Sequence, residues 1–268
     1  MSDFHSVVSR DGSIIGYEKI GHGPPMVLVH GGTADRRRWL PAVPQLAQRF
    51  TLHIVDRRGR GLSEKEQGPY DIAREGEDVA AVVEAAGRDV YLVGHSYGAL
   101  CSLEAALRTN AIGRLLIYEP PAATPGHGVT PAPVLERLRA AAGRGDRPLV
   151  LETFFREVIH STPEDIAQMV PTPMWQARLA AALTIVRELE QVERWDISPR
   201  LGAIRIPVRL LLGTESSAYY EPAARAIAKE ISQADILPLH GQGHMAIDRD
   251  TEQFVRAVFA FSAGGPSV

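Results

Sequence analysis

Short segments that are apolar at nearly every position alternate along this chain with stretches of helical character. Strands that are apolar on both faces are typical of a parallel sheet covered by helices on both sides. The alternation therefore predicts an α/β fold with a mostly parallel sheet, flanked by the predicted helices Val43–Arg49, Ile72–Ala86, Tyr97–Arg108, Pro222–Ile231 and Thr251–Phe261. The eight predicted strands are Phe4–Ser9, Ile14–Ile20, Met26–His30, Thr51–Val55, Val90–Val93, Leu115–Tyr118, Val208–Leu212 and Asp235–Leu239, the first two forming an antiparallel hairpin.

One interval, residues 122–197, breaks this alternation because it contains no convincing strand. It is predicted to be a helical cap inserted after the sixth strand, between core segments 1–121 and 198–268, with helices at Val134–Ala142, Leu149–Ile159, Pro163–Met169 and Trp175–Glu193. Its large apolar side chains must pack against each other or line a substrate pocket. We predict that Phe154, Met174 and Trp175 contact the substrate.

The overall composition restricts the classes of protein to which the chain can belong. The chain has 268 residues and a net charge of −3 without a dominant basic patch, which argues against nucleic acid as a partner. Its one cysteine, Cys101, excludes an intrachain disulfide. No apolar run approaches the roughly 20 residues that span a bilayer, and the N-terminal segment lacks the apolar region of a secretory signal. We expect a cytoplasmic protein that binds no membrane; the oligomeric state is left open, with a homodimer as one alternative.

The pentapeptide Gly94-His95-Ser96-Tyr97-Gly98 has the form G-x-S-x-G and joins a predicted strand directly to a predicted helix. A nucleophilic serine needs this context, because a sharp strand-to-helix turn exposes its Oγ and small flanking residues allow close backbone approach. The N-terminus of the following helix favours developing negative charge. The pattern predicts that Ser96 is a catalytic nucleophile.

With two further motifs, the pentapeptide makes essentially the full chain resemble the enzymes of the α/β-hydrolase fold. The segment 30–33 (HGGT) resembles the oxyanion loop of that family, and residues 56–63 (DRRGRGLS) resemble its D-x-R-G-x-G-x-S turn, which braces the loop. The resemblance implies an oxyanion hole formed by the backbone N–H groups of Gly32 and Tyr97. It also implies that Gly31 borders the bound substrate.

The general base is predicted from the position of one histidine among nine. His244 lies in a glycine-flanked loop after the last predicted strand, where the resemblance places the catalytic histidine. Such a loop lets the imidazole reach Ser96. His30 and His95 are expected to shape the loops around the site without transferring protons.

The acid of the predicted triad departs from the family pattern. Most members carry Asp after the seventh strand in a G-x-x-D pattern, where this chain has Ser216, and a serine cannot stabilise an imidazolium as a carboxylate does. A minority place the acid after the sixth strand, and some lactone hydrolases use a glutamate there. We therefore predict Glu119 at the end of the sixth strand, with Glu215 as the main alternative and Asp196, Asp248 or no acid behind it.

These residues together predict a serine hydrolase that cleaves a carboxylic ester or lactone through an acyl-enzyme. The apolar cap favours an apolar substrate. Carbon–carbon bond hydrolysis, thioester hydrolysis, cofactor-free haloperoxidation and a non-catalytic ligand-binding role stay open as alternatives on the same fold. The sequence has no H-E-x-x-H, no Cys/His cluster and no G-x-G-x-x-G after the first strand, so we expect neither a metal nor a cofactor.

One basic run, Arg36-Arg37-Arg38, has two interpretations. Such a run is more often a solvated loop, which is the interpretation we prefer. The alternative is that it attracts an acidic substrate to the mouth of the pocket.

Overall fold

A computed structural model describes residues 3–63, 67–170 and 172–263 of the chain. Its eight strands form one sheet in the order β1-β2-β4-β3-β5-β6-β7-β8. The β1–β2 and β2–β4 pairs are antiparallel and the other pairs are parallel, which confirms the predicted mostly parallel sheet. The strands are β1 Asp3–Val8, β2 Ile14–Gly21, β3 Pro25–Val29, β4 Thr51–Val55, β5 Val90–His95, β6 Ile112–Tyr118, β7 Val208–Gly213 and β8 Ala234–Leu239.

Helices connect the strands and cover both faces of the sheet. None of the helices in the described ranges is both long and apolar enough to cross a membrane. The α-helices are α1 Val43–Leu46, α2 Ile72–Ala86, α3 Tyr97–Ala106, α4 Ala132–Gly143, α5 Arg147–Glu157, α6 Pro163–Met169, α7 Pro173–Ala181, α8 Ile185–Arg194, α9 Tyr220–Glu230, α10 Ala246–Arg249 and α11 Thr251–Ser262.

The apolar strands divide their side chains between two cores, one on each face of the sheet. Alternate residues of β5 show this division, since Leu92 belongs to the core beneath α2 and α3 whereas Tyr91 and Val93 belong to the core that contains Trp39 and Phe254. All six residues of β5 are buried. Burial on both faces is the physical reason that this strand reads as continuously apolar.

Residues 132–203, between β6 and β7, contain helices α4 to α8 and a 3₁₀ helix at Pro199–Ala203. We call these residues the helical insert. No strand occurs among its described residues. The helix predicted as one piece over 175–193 is divided into α7 and α8 by a 3₁₀ turn at Ala182–Thr184. Thr184 Oγ1 donates to the carbonyl of Ala181 at 2.8 Å, a local bond that competes with regular helical pairing.

The turn between β5 and α3 is so closely packed, at Gly98 against the end of β3 and at Gly94 against α3, that these two positions admit only glycine. A Cβ on Gly98 would lie 2.4 Å from the carbonyl oxygen of His30 and 2.5 Å from that of Val29. A Cβ on Gly94 would lie 2.5 Å from Ser102 Oγ. The first and last glycines of the G-x-S-x-G motif are therefore required by backbone packing, which carries Ser96 to the end of the sheet.

We expect the Gly98→Ala substitution to lower the free energy of unfolding by about 1–3 kcal/mol or more, because its new methyl group meets rigid backbone atoms. The control is Gly143→Ala at the end of α4, where a Cβ would meet nothing within 4 Å. That variant should be neutral or up to about 1 kcal/mol more stable. Urea unfolding of both variants measures the difference, and equal stabilities would contradict the packing argument.

Candidate active site

Ser96 occupies a backbone conformation that few side chains adopt. Its φ is 56° and its ψ is −127°, at the junction of β5 and α3. The conformation is held from both sides, since the Ser96 N–H donates to the carbonyl of Tyr118 and the Ser96 carbonyl accepts from the Ala99 N–H, both at 2.8 Å. A non-glycine residue in such a region costs roughly 1–3 kcal/mol and is frequently found at functional sites.

His244 lies on the loop between β8 and α10, where a tyrosine from the sheet supports the backbone on both sides. The Tyr118 hydroxyl donates to the carbonyl of Gly243 and accepts from the Ala246 N–H. The His244 carbonyl also lies 3.1 Å from Nε2 of His95, and the two rings are 4.7 Å apart. The histidine loop is therefore anchored to the ends of β5 and β6.

The imidazole of His244 contacts a buried carboxylate from the end of β6. Its Nδ1 lies 2.6 Å from Oε2 of Glu119, whose side chain is 0% exposed. The other oxygen, Oε1, accepts from the Gly213 N–H at 2.8 Å and from the hydroxyl of Ser216. Three groups thus bind the carboxylate, which holds the imidazole in turn, and Ser216, at the usual position of the family's acid, donates to the displaced carboxylate.

The alternative acids do not bond to His244. Glu215 is exposed and its N–H donates to the Gln242 carbonyl at 2.9 Å; although it lines an outer cavity with His244, no bond from its carboxylate to that histidine occurs among the described residues. Asp196 is also exposed, and Asp248 pairs with Arg38. Of the predicted acids, Glu119 is the one that the structure brings to His244.

The oxyanion loop after β3 is held in place by a buried histidine and a buried arginine. Nε2 of His30 accepts the Arg57 N–H at 3.1 Å, and its Nδ1 lies 2.8 Å from the carbonyl of Gly31. Burial, with the nearby charges of Arg57 and Arg60, lowers the pKa of His30 well below its ordinary value, which keeps the ring neutral and able to accept. The Arg57 side chain donates to the same Gly31 carbonyl at 3.1 Å, as expected for a bracing role of the 56–63 turn.

A carboxylate of the helical insert, Glu188 on α8, reaches the core beside the oxyanion loop. It pairs with Arg57 at 3.1 Å and with Arg60, and a Cβ on Gly32 would lie 3.1 Å from its Oε2. Glu75 on α2 completes the buried cluster by pairing with Arg57. Glu188 is not among the residues predicted from the sequence, because an acidic residue in an amphipathic helix carries no local signal of burial.

Ser96 stands between two cavities that share Gly32 and Phe154. The apolar chamber is lined mainly by the insert; its walls include Val129, Val158, Ile185, Leu189, Val192 and Tyr219. The walls of the basic chamber include Gly31, Thr33, Arg38, Phe155, Arg178 and His244.

The predicted substrate-contacting residues are distributed unevenly over these cavities. Gly31 lines the basic chamber and Phe154 lines both chambers, whereas Met174 lines an outer groove that shares Arg38, Arg178 and Met245 with the basic chamber. Trp175 lines none of the three; its ring stacks on Phe155 with centroids 6.4 Å apart. Trp175 therefore lies behind the wall, because α7 turns its indole toward α5.

Two oxyanion-hole candidates and one unexpected aromatic residue border the same space. Gly32 lines both chambers and Tyr97 lines the apolar one. Tyr220, at the start of α9, stacks on the His244 ring at 4.8 Å, and its hydroxyl lies 3.3 Å from Nε2. The pair Tyr219-Tyr220 follows the loop in which most family members carry the acid. This position was the signal in the sequence from which the contact between Tyr220 and His244 could have been predicted.

The basic run is not a solvated loop throughout. Arg36–Trp39 forms a 3₁₀ turn, Arg36 pairs with the buried Asp56 at 2.7 Å, and the Arg38 side chain is only 3% exposed. The preferred sequence interpretation is therefore wrong for Arg38. The turn folds the run against the core because Asp35 caps it by accepting the Arg37 N–H at 2.9 Å.

Comparison with known proteins agrees with this architecture. The sequence model of the alpha/beta hydrolase family matches residues 26–257. The chain belongs to the α/β-hydrolase family. A solved α/β hydrolase from Sphaerobacter thermophilus superimposes with a TM-score of 0.78 and 35% identity, covering 89% of this chain and 93% of its own.

Two curated members of the family are similar over most of their length. A pimeloyl-[acyl-carrier protein] methyl ester esterase from Xanthomonas campestris is 27% identical, covering 92% of this chain and 98% of its own. An N-formylmaleamate deformylase from Pseudomonas putida is 26% identical, covering 88% of both chains. The relatives support hydrolase activity for this α/β hydrolase.

The position of the acid yields a prediction with a matched alternative. We expect Glu119→Gln to lower kcat by up to about 10⁴-fold, because an amide places a donor against Nδ1 and disfavours the required tautomer. Glu215→Gln should leave kcat nearly unchanged, since that carboxylate is exposed. Steady-state kinetics on an activated ester compares the two variants, and the reverse ranking would contradict the assignment of Glu119.

The hydroxyl that Ser216 donates to Glu119 allows a rescue experiment. Adding Ser216→Asp to Glu119→Gln returns a carboxylate to the loop that most family members use, so part of the lost kcat should return. Circular dichroism and the melting temperature of each variant control for folding. A double variant as inactive as Glu119→Gln would mean that a carboxylate at position 216 cannot replace that of Glu119 as the partner of His244.

Proposed function

We propose that this α/β hydrolase is a serine hydrolase that cleaves a carboxylic ester or lactone through an acyl-enzyme. The observation that carries the proposal is the buried Glu119–His244 pair, whose imidazole lines the same chamber as Ser96. A carboxylate on Nδ1 leaves Nε2 as the atom that can accept a proton from a serine hydroxyl. The methyl ester esterase among the relatives supports ester chemistry for this site.

The proposed reaction begins with proton transfer from Ser96 Oγ to Nε2 of His244 as Oγ attacks the carbonyl carbon. The oxyanion that forms accepts from the backbone N–H groups of Gly32 and Tyr97. His244 then protonates the leaving alcohol, and the acyl group stays on Ser96. A water molecule, deprotonated by His244, releases the acid and restores the serine.

Before this step Nε2 of His244 has to exchange partners. It contacts the Tyr220 hydroxyl at 3.3 Å, and this contact gives way to the Ser96 hydroxyl in the proposed reaction. A bound carbonyl group brings its reacting carbon next to Ser96 Oγ, and apo sites of this kind often tighten only in the substrate complex.

We further propose that residues 122–197 act as a cap over the site and that the apolar chamber holds the apolar part of the substrate. The insert supplies Phe154, Val158 and Leu189 to the chamber wall. Its attachment to the core through the buried Glu188 pairs gives the chamber a defined shape. A defined wall made of aliphatic side chains selects substrates by chain length and branching.

The nucleophile is tested by Ser96→Ala, which should lose at least about 10³-fold in kcat on p-nitrophenyl esters while remaining folded. The variant should also lose covalent labelling by a fluorophosphonate. Ser232→Ala, at an exposed position after α9, is the matched control and should keep both properties. Turnover of the Ser96→Ala variant close to that of the natural chain would contradict the acyl-enzyme mechanism.

The apolar chamber is tested by comparing two aromatic residues of the insert. Phe154→Ala enlarges both chambers and should shift the ester preference toward longer acyl chains by about tenfold in relative kcat/KM. Trp175→Ala removes packing behind the wall, so it should lower the melting temperature more than it changes that preference. A graded series of p-nitrophenyl esters and lactones, with thioesters included, measures both effects, and equal shifts in preference would place Trp175 on the wall.

A further inference from the structure

Two buried arginines from distant parts of the chain meet in the basic chamber. Arg38 comes from the 3₁₀ turn after β3, and Arg178 comes from α7 of the insert. Their side chains are 3% and 5% exposed, and both line the same chamber as Ser96 and His244. The chamber thus concentrates positive charge next to the reacting serine.

Arg178 is a buried cation whose contacts are with a neutral hydroxyl and an aromatic ring. Its Nη1 donates to the neutral hydroxyl of Thr33 at 3.0 Å, its guanidinium lies 5.1 Å from the ring of Phe155, and its buried Nε has no hydrogen-bond partner within the described ranges. No carboxylate of the described residues forms an ion pair with it. Burial, reinforced by the charge of Arg38 and opposed by the charges of Asp248 and Asp35, lowers the pKa of Arg178 to about 10, so the side chain stays protonated near neutral pH.

The charge of Arg38 is only partly compensated. Its Nη1 donates to Oδ2 of Asp248, whose side chain is 42% exposed, while its buried Nη2 has no partner in the described part of the chain. The carboxylate of Glu119 is bound to His244, Gly213 and Ser216, and that of Glu188 is bound to Arg57 and Arg60. Neither of these buried acids neutralises the two arginines.

A buried and unpaired guanidinium is costly, so its presence beside a catalytic serine requires a reason. Fastening the insert to the oxyanion loop is one function of Arg178, but a neutral side chain could donate to Thr33 as well. A guanidinium presents several donors in one plane, an arrangement that matches the two oxygens of a carboxylate. Arg38 and Arg178 line both the basic chamber and the outer groove, so their charges lie where the two cavities adjoin.

We propose that the substrate of this enzyme carries a carboxylate, which Arg178 binds with the help of Arg38 while Ser96 attacks the scissile carbonyl group. This inference rests on the proposed function and adds a substrate class to it. The apolar chamber then holds the uncharged remainder of the same molecule. The substrate class is a small ester or lactone with a free carboxylate group.

Matched pairs of esters test the proposal. Monomethyl glutarate and methyl hexanoate differ in a carboxylate on the acyl side, and 4-acetoxybutanoate and pentyl acetate differ in a carboxylate on the alcohol side. We expect kcat/KM of the charged member to exceed that of the neutral member by about 10–100-fold in at least one pair, as for hydrogen bonds between charged groups. Arg178→Gln should lower kcat/KM of the charged member at least tenfold more than that of the neutral member, and Arg178→Lys should fall between.

The control variant is Arg137→Gln, at an exposed arginine of α4 that pairs with Glu157 and should leave the preference unchanged. Glutarate binding to the Ser96→Ala protein, measured by calorimetry, tests the carboxylate site without turnover; Arg178→Gln in that background should weaken it at least tenfold. Glutarate binding that is undetectable or insensitive to Arg178→Gln, together with no preference in either pair, would overturn the proposal. If neutral esters were still cleaved and Ser96 still labelled, the serine hydrolase function would stand and only the carboxylate site would fall.

Discussion

The rest of the site depends on the hydrogen bond between Glu119 Oε2 and His244 Nδ1. Together with the bond from the Gly213 N–H to the same carboxylate, it links the ends of three strands. Glu119 follows β6, its other oxygen binds the backbone of Gly213 at the end of β7, and His244 follows β8. The strand order places these ends side by side. A carboxylate buried here is tolerable because donors saturate both of its oxygens, and the same donors orient the imidazole toward the chamber of Ser96.

Backbone strain is concentrated at the loops that this bond organises. Among the described non-glycine residues, positive φ values occur at Thr33, Ser96 and Glu119, and elsewhere at Asp89 and His160. The first three lie in the loop after β3, at the turn between β5 and α3, and directly after β6. Close packing of Gly98 on the carbonyl groups of β3 and the bonds from Tyr118 hold these conformations, so the stability of the sheet offsets the strain of the site.

The two chambers differ because the insert contributes different chemistry to each. Helix α8 contributes aliphatic side chains and one acid, Glu188, whose charge is neutralised by Arg57 and Arg60 of the core. Helix α7 contributes Arg178, which meets no such partner. The apolar chamber therefore contains one acid whose charge is neutralised. The basic chamber contains Arg178, which forms no ion pair with a carboxylate of the described residues. A substrate with one apolar end and one anionic end fits this division on either side of Ser96.

The sequence alone determined the parallel sheet and the family motifs, and it predicted Ser96, His244 and Glu119 as site residues, because each depends on local pattern or on order along the chain. An apolar strand must be buried, and a G-x-S-x-G motif between strand and helix leaves its serine few other positions. Only the tertiary structure decided that Glu119 rather than Glu215 touches His244, since the choice depends on which neighbouring strand ends meet and where Ser216 points. It alone placed Trp175 behind the wall and brought Arg38 and Arg178, which lie 140 positions apart in the chain, into one chamber. Such contacts depend on how the insert packs on the core, and that packing cannot be predicted from the spacing of residues along the chain.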